Sequence, residues 1–397
     1  MGCIFCKARH FGAMGQQNIN GGRARMDKGQ KKEKKVPSIL THLVDQKERK
    51  DLPTFESYIV EEEVCKGANG VVYKAKSKKD GATVAIKCTP LKQGPAAEAH
   101  EQRLDKEWKV LKQFRGKKNS IINYEDSFKK GNTHYFVLEY IMHDEPKVLK
   151  EKIKTDQLRR YGYCMFRALA ALHKGGVIHG DVKPGNFLFS RKRNEGYLTG
   201  FNHARFPDKN PVDGSPMPSK QPIANDAAGP GKGPWVGTGG FRAPEVLFRS
   251  PHQGPKLDIW SAGVSLLYLI IGKTPFSGDP EQNIKDIAKL RGSEDLWEIA
   301  KLHNRESSFP ADLYGKQGLA PLRFQVWLEK RIKLEKGEIQ EVPHDLRLLP
   351  DLLNKCLIVN PRLRIGAEEA LEHKFFAPCH EKKERQCKWK NIGPDPK

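Results

Sequence analysis

The feature that most constrains this fold is a change of periodicity near residue 141. Upstream, from Phe55, the segment YIVEEEVCKGANGVVYKAKSKKDGATVAIKCTP alternates in polarity and is rich in Val. It reads as three strands joined by turns at GANG and KKDG. AHEQRLDKEWKVLKQF (Ala99 to Phe114) carries Leu104, Trp108 and Leu111 at helical spacing, and THYFVLEYI returns to a strand. Downstream, LRRYGYCMFRALAALHKGG reads as an amphipathic helix ended by glycines. The remainder reads as helical, with a charged, irregular stretch between about Asp279 and His344. This order implies an α+β chain of two lobes: a small strand-rich one over about 55–141 and a larger helical one over about 142–376. Residues 1–54 are polar, Gly- and Lys-rich and expected to be mostly disordered, and 377–397 form a basic tail. Within the larger lobe, the Pro/Gly/Lys-rich stretch at about 206–235 has no periodicity and is expected to be a flexible insert.

Composition narrows the function classes. With 38% apolar residues in 397, the chain can bury a sizeable core. A formal charge of +22 and a pI near 9.5 favour acidic partners: phosphates, nucleic acid, acidic substrates or an anionic membrane. No aromatic-interleaved basic face or DNA-reading motif is present, which argues against direct sequence-specific nucleic-acid recognition. The eight cysteines show no disulfide framework, which suits a reducing compartment. Cys3 and Cys6 form a lone C-x-x-C without a second pair, so a zinc site is not expected. No secretory signal is read, and the longest apolar run, Ala262 to Gly272, is too short to span a bilayer and reads as a core helix. The start, MGCIFCKARH, leaves alternatives open. Gly2 is the acceptor position for myristate, and Cys3 and Cys6 suit palmitate; with the basic run that follows, two acyl chains would hold the chain at a membrane. The same basic run also reads as a nuclear-import signal or as a plain solvated tail.

Four stretches carry chemistry in a fixed order. CKGANG (Cys65 to Gly70) precedes VAIK, ending at Lys87; HGDVKPGN spans His179 to Asn186; GTGGFRAPE spans Gly237 to Glu245; and KLDIWSAGVSLLYLIIGKTPF spans Lys256 to Phe276. Each alone is weak evidence, because a lone GxxG is usually a hairpin turn and a lone Lys a surface charge. Together, and in this order, they resemble the eukaryotic protein kinases over about Phe55 to Phe376. KPGNFLFS, GFRAPEVL and the inserts in the activation segment and before DLLNKCLIVNPR bring the chain nearer the cell-division-cycle-seven type, the serine/threonine kinases that license replication origins.

The resemblance implies a two-lobed kinase fold, ATP as phosphoryl donor and Mg2+ (or Mn2+) as cofactor. It also implies a Ser/Thr protein substrate, with minichromosome maintenance helicase subunits as the family's target, together with an activating regulatory subunit, a preference for acidic target sequences and a nuclear location. Acylation at the N-terminus would instead place the chain at the plasma membrane or in the cytoplasm. By position, Cys65, Gly67 and Gly70 would cover the phosphates, and Lys87, paired with Glu107, would bind them. The adenine pocket would use Val72, Ala85, Leu138, the hinge from Glu139 to Ile141, and Leu188. Asp181 would act on the attacking hydroxyl, Lys183 would contact the transferring phosphoryl, and Asn186 would ligate a metal ion. Thr238 would line the substrate-hydroxyl site. His179, Asp258 and the pair Glu245 with Arg364 would be structural.

Three positions depart from the family pattern. Cys65 replaces the first glycine of the phosphate loop, Gly180 replaces the arginine between His179 and Asp181, and Gly200 replaces the metal-binding aspartate of D-F-G. The last is expected to cost most, because no nearby acid in sequence replaces it: Glu195 precedes the motif and Asp208 lies well beyond. A working kinase, slowed at this step, and a pseudokinase that only binds its partners both remain open.

Overall fold

A computed structural model describes residues 52–67, 70–207, 233–315, 318–336 and 347–380. Gly2, Cys3, Cys6, the tip of the phosphate hairpin at Ala68 and Asn69, most of the insert and the basic C-terminal tail lie outside the described residues.

The smaller lobe is a five-stranded antiparallel sheet in the order β1-β2-β3-β5-β4. Its strands are β1 (Tyr58–Gly67), β2 (Gly70–Ser77), β3 (Thr83–Pro90), β4 (Tyr124–Lys130) and β5 (Thr133–Glu139), with helix α1 (Ala97–Gln113) between β3 and β4. Central β3 reads TVAIKCTP, a Val/Ile run flanked on both sides, and six consecutive residues are buried. The alternation of Val72 and Ala75 in β2 turns them into the sheet's two separate apolar layers. On the outer face Phe55, Phe128 and Tyr135 pack as a ring cluster, with centroids 4.9–5.6 Å apart. Edge strand β4, YEDSFKK, was not legible as a strand: its charges face solvent, as an edge strand requires, and its pairing to β5 carries a register shift at Tyr124/Asp126.

The larger lobe is built on α2 (Pro146–Lys152), α3 (Thr155–Lys174) and α5 (Lys256–Ile271), with the short hairpin β6 (Phe187–Ser190) and β7 (Glu195–Leu198) packed on α3. Helix α5 is buried on all sides, from Leu257 through Trp260 to Leu269. It stops at Gly272, which takes the left-handed conformation (φ 97°) that closes a helix. Short α4 (Pro244–Leu247) precedes it. The stretch expected to be irregular instead contains α6 (Pro280–Arg291), α7 (Ser293–Leu302) and α8 (Phe324–Lys336). Their apolar stripes are interrupted by charges, which hid the helical period, but the stop signals are there: Asp279 accepts from the Gln282 N–H at 2.8 Å, Pro280 opens α6, and Gly292 ends it. Helices α9 (Leu349–Cys356) and α10 (Ala367–Leu371) complete the lobe, with α10 against α3. No helix among the described residues is long and apolar enough to cross a membrane.

One ion pair ties this lobe together. Arg364 donates to Glu245 through both terminal nitrogens, at 2.8 and 3.0 Å, and to the carbonyls of Lys256, Ile358 and Val359. Both side chains are essentially inaccessible. All the guanidinium's donors are therefore used, and removing one partner would strand a buried charge. Glu245→Ala is expected to destabilise by about 3–5 kcal/mol, and Glu245→Ala with Arg364→Met by distinctly less than the sum of the single changes. Denaturant midpoints of the four proteins check this; additive effects would mean that the pair acts as two independent residues.

Candidate active site

The cleft between sheet and helices is assembled from four backbone segments. In the sheet, register sets Cys65 opposite Val72, Val72 opposite Lys87, and Ala85 opposite Leu138. Cys65, Val72, Ala85, Leu138, Ile141 and Leu188 are all buried in one cluster, and Glu139 at the sheet's end is half-buried. Gly67 and Gly70 pair at the close of the β1–β2 hairpin. Burial raises the Glu139 carboxyl above its usual range, with Arg193 opposing the shift.

Lys87 reaches out of β3 to α1, where its Nζ lies 2.7 and 2.8 Å from the two carboxylate oxygens of Glu107. Both residues are buried, so the lysine is held by a charge-assisted pair in a weakly screened setting. Helix α1 presents Leu104 and Leu111 to the core on the same face as Glu107, which fixes the helix rotation that makes the pair possible. The helix also rests on the turn at Phe201–His203.

The loop from His179 to Asn186 is held from below by Asp258. Its Oδ2 accepts from the His179 backbone N–H at 2.8 Å, and its Oδ1 from the Gly180 N–H at 2.9 Å. His173 adds a contact at 2.9 Å. Burial opposes the charge on Asp258, but the bond and charge of His173, with His179 and the Gly180 amide, outweigh it and keep the carboxyl below its usual range. The Asp181 N–H donates to His179 Nδ1 (3.2 Å), so the opposite ring nitrogen carries the proton it gives to Thr199 O (3.0 Å). Burial holds the His179 imidazole below its usual pKa, which favours that neutral tautomer.

Above this platform, Asp181, Lys183 and Thr238 form a closed triangle. Thr238 Oγ1 donates to Asp181 Oδ1 (2.7 Å), Lys183 Nζ donates to Thr238 (2.6 Å), and Lys183 lies 2.8 Å from Asp181 Oδ2. Burial disfavours the Asp181 charge, but Lys183 and the bonds from Lys183 and Thr238 prevail, so the carboxyl stays below its usual range. Asn186 completes the group: its Nδ2 donates to Asp181 O and Oδ2 at 2.8 and 3.0 Å.

Gly200 has φ 83° and ψ 52°, a left-handed backbone that glycine adopts freely and that aspartate tolerates better than most residues. Phe201 beside it is fully buried, with its ring edge-on to His179 at 5.3 Å. The loop thus keeps its shape without a carboxylate. Gly180 is also left-handed (φ 78°), and a Cβ there would stand 2.7 Å from the His203 carbonyl. An arginine at 180 would require that carbonyl to move.

A divalent metal ion fits this donor set poorly. Among the described residues, Asn186 Oδ1 and Asn202 Oδ1 are buried without a hydrogen-bond partner, and both are neutral amide oxygens rather than carboxylates. Among the described residues no group of three or more His, Cys, Asp or Glu side chains converges to hold a metal. Glu195 points elsewhere, toward Tyr197 and Arg193. Asp208 lies outside the described residues.

One group was missed in the sequence. Arg103 and Lys106 on α1, with His203 and Arg205 beyond Gly200, lie close enough to repel one another. Burial first, then Arg205 and Arg103, hold the Lys106 ammonium below its usual pKa. Burial likewise lowers His203, with Asp181 opposing and Arg103 adding to the shift. Arg103 stands four residues before Glu107, so helical spacing could have placed it on the cleft side.

Comparison with known proteins agrees with this arrangement. A family model described as "Protein kinase domain" matches residues 58–376. The probable cell division control protein 7 homolog 2 of Encephalitozoon cuniculi is 30% identical over 338 residues, covering 79% of this chain and 90% of that protein. The cell cycle serine/threonine-protein kinase hsk1 of Schizosaccharomyces pombe is 30% identical over 262 residues, 60% of this chain and 52% of its own. Human mitogen-activated protein kinase 12 is more distant, at 28% over 327 residues, 80% and 77%. With its sheet lobe, helical lobe and matched domain, the chain belongs to the protein kinase family, among relatives of the cell-division-cycle-seven type.

Proposed function

We propose that this chain is a nucleotide-binding serine/threonine kinase of the cell-division-cycle-seven type whose phosphoryl transfer is slowed by the glycine at 200. The observation that carries this reading is the closed triangle of Asp181, Lys183 and Thr238 beside the Lys87–Glu107 pair. Lys87 and Lys183 would meet the phosphates of ATP, and the apolar cluster around Val72, Ala85, Leu138 and Leu188 would take the base. Asp181, held ionised, would orient the hydroxyl of a serine or threonine and accept its proton, while Thr238 and Lys183 fix the carboxylate's position. The lysine two positions after Asp181 favours Ser/Thr over Tyr substrates. A divalent cation, where bound, neutralises phosphate charge; with amide oxygens such as Asn186 Oδ1 in place of a carboxylate, none of these steps is routed through it.

The names of the relatives support a cell-cycle setting and protein substrates; a regulatory subunit is part of the proposed reading. On this reading the substrates include minichromosome maintenance helicase subunits and the working location is the nucleus; acylation at Gly2, Cys3 and Cys6 would divert the chain to a membrane. The second reading, a pseudokinase that binds nucleotide and partners without transfer, is favoured by one specific fact: among the described residues no group of three or more His, Cys, Asp or Glu side chains converges to hold a metal.

Phosphate transfer to a helicase-tail peptide separates the two. Gly200→Asp is expected to raise kcat by at least ~10²–10³, by analogy with the loss of one preorganised charge-stabilising group. Asp181→Ala is expected to abolish transfer in both backgrounds. If the unmodified chain matches Gly200→Asp, the carboxylate is dispensable and the site works in another way. If neither transfers, the kinase reading fails.

Nucleotide binding is expected to need no metal. With two lysines and two carboxylates the inner cleft is close to neutral, and Arg103, Lys106 and Arg205 add positive charge beside it. ATP at about a hundredfold over its Kd would stabilise the chain by ~2.7 kcal/mol. That shift should be nearly the same with Mg2+ or with EDTA in the unmodified chain, and larger with Mg2+ in Gly200→Asp. A strict Mg2+ requirement in the unmodified chain would contradict this.

The pH profile follows from Asp181. Its folded-state carboxyl lies below the ordinary 3.8, so the base form persists throughout the neutral range. Its contribution to stability is present above the unfolded-state pKa and is lost as pH falls through the folded value. For Gly200→Asp, kcat should show no acid limb from this group between about pH 5 and 8; a limb near pH 6 would show the carboxyl raised instead.

A further inference from the structure

A groove on the helical lobe has no part in the site above. It is a cavity of about 400 Å³ between α6, the loop at 318–323 and α8. Its floor is Trp327, buried, with Leu322 and Leu334 at the wall. These two leucines are 44% and 76% exposed, and Leu319, which also lines the groove, is 38% exposed. Single exposed leucines are ordinary; leucines that converge over a buried tryptophan form a patch of the kind that proteins cover. The rim is cationic, with Lys289, Lys330 and Arg331, the last stacked on the Trp327 ring at 5.7 Å. Of these cations Lys289 is already paired with Asp286 (3.2 Å), which leaves Lys330 and Arg331 as the cations facing the slot, and Glu329 accepts from Gln325.

We propose that this groove docks a short acidic segment of a partner protein, with two or three bulky apolar side chains seated over Trp327 and flanking carboxylates on Lys330 and Arg331. Charge complementarity selects this occupant: an apolar slot ringed by cations on a chain of net charge +22 discriminates against neutral and basic peptides. The floor is also connected to the substrate-side loop. Trp327 stacks on Phe276 (6.2 Å), and Phe276 stacks on Trp260 of α5 (5.9 Å). The Phe276 carbonyl lies beneath Gly240, where a Cβ would stand 3.1 Å from it. A partner seated here therefore presses on the support of the Thr238–Gly240 segment. The proposal does not depend on phosphoryl transfer and holds equally for an inactive chain.

The test uses the full chain and fluorescence anisotropy of a labelled peptide, EELFELLEE, alongside a version with Lys for every Glu and one with Ser for every Leu and Phe. The acidic apolar peptide is expected to bind saturably and the other two weakly. Leu334→Asp and Lys330→Glu alter exposed side chains, so unchanged melting temperatures will show that both variants fold. Each is expected to weaken binding by at least about tenfold, or ~1.4 kcal/mol. Lys330→Glu should in addition tighten binding of the lysine peptide. Absence of saturable binding, or equal binding to the variants, overturns the proposal. Two other results would also overturn it, by naming a different occupant. One is binding that emerges only when residues 337–346 are replaced by a Gly/Ser linker. The other is self-association of the free chain that Leu334→Asp removes.

Discussion

The cleft depends on one buried carboxylate. Asp258 sits on a helix that is apolar on every side, and its two oxygens hold consecutive backbone amides of the loop bearing Asp181. A loop has no ladder of its own to hold it, so its shape must be imposed from a rigid element. Here α5 supplies rigidity and Asp258 transmits it. From those two amides the order propagates: His179 Nδ1 accepts from the Asp181 N–H, His179 donates to Thr199, and the chain arrives at Gly200 with a defined conformation. A carboxylate so enclosed is stable only because both of its oxygens have donors: Oδ2 from His179 and His173, Oδ1 from Gly180.

This explains how the loop can keep its shape with glycine at 200. The left-handed backbone at 200 is set by Thr199 before it and by Phe201 buried after it, and glycine accepts that conformation with less strain than aspartate. Gly180 is similar, since its backbone is left-handed and crowded by the His203 carbonyl. Both departures thus relieve local strain while removing charge. Strain of this kind is held at functional sites because function needs the side chain, and it is free to relax where that need weakens. The structural charges Asp258, Glu245 and Arg364 have no such freedom, because each is buried with partners that would be stranded.

Much of this architecture was legible in the sequence because period and punctuation agreed. β1 to β3 are Val-rich runs separated by Gly-containing turns, and α3 ends at Gly175 as its glycines imply. The pairs that the resemblance implied, Lys87 with Glu107 and Glu245 with Arg364, stand within hydrogen-bond distance although 20 and 119 residues apart. What was hidden had physical reasons. β4 is an edge strand whose solvent-facing charges erase its alternation, and α6 to α8 are partly covered helices whose stripes are broken by lysines and acids. The closed Asp181–Lys183–Thr238 triangle depends on a chain reversal across 55 and 57 residues, which no local pattern encodes. The cationic group of Arg103, Lys106, His203 and Arg205 was invisible for the same reason: two segments far apart in sequence meet only where α1 rests on the turn after Gly200.

The balance of charge then argues for what kind of protein this is. Fixed cations such as Lys87 and Lys183 attract the phosphates of a bound nucleotide before and during transfer alike, and interactions of equal strength in both states lower the dissociation constant without raising the rate. A carboxylate-held metal differs because it responds to charge as it develops between donor and acceptor oxygens. Replacing the carboxylate with Gly200 removes the differential part and leaves the uniform part in place. The expected physical consequence is a cleft that retains nucleotide and holds its hydroxyl-orienting aspartate ready, yet turns over slowly. Such a chain can still act by what it binds, at the cleft or at the groove over Trp327, whose ring stacks on Phe276 behind the Thr238–Gly240 segment. Occupancy at either place can then alter the shape presented to partners, whether or not phosphate moves.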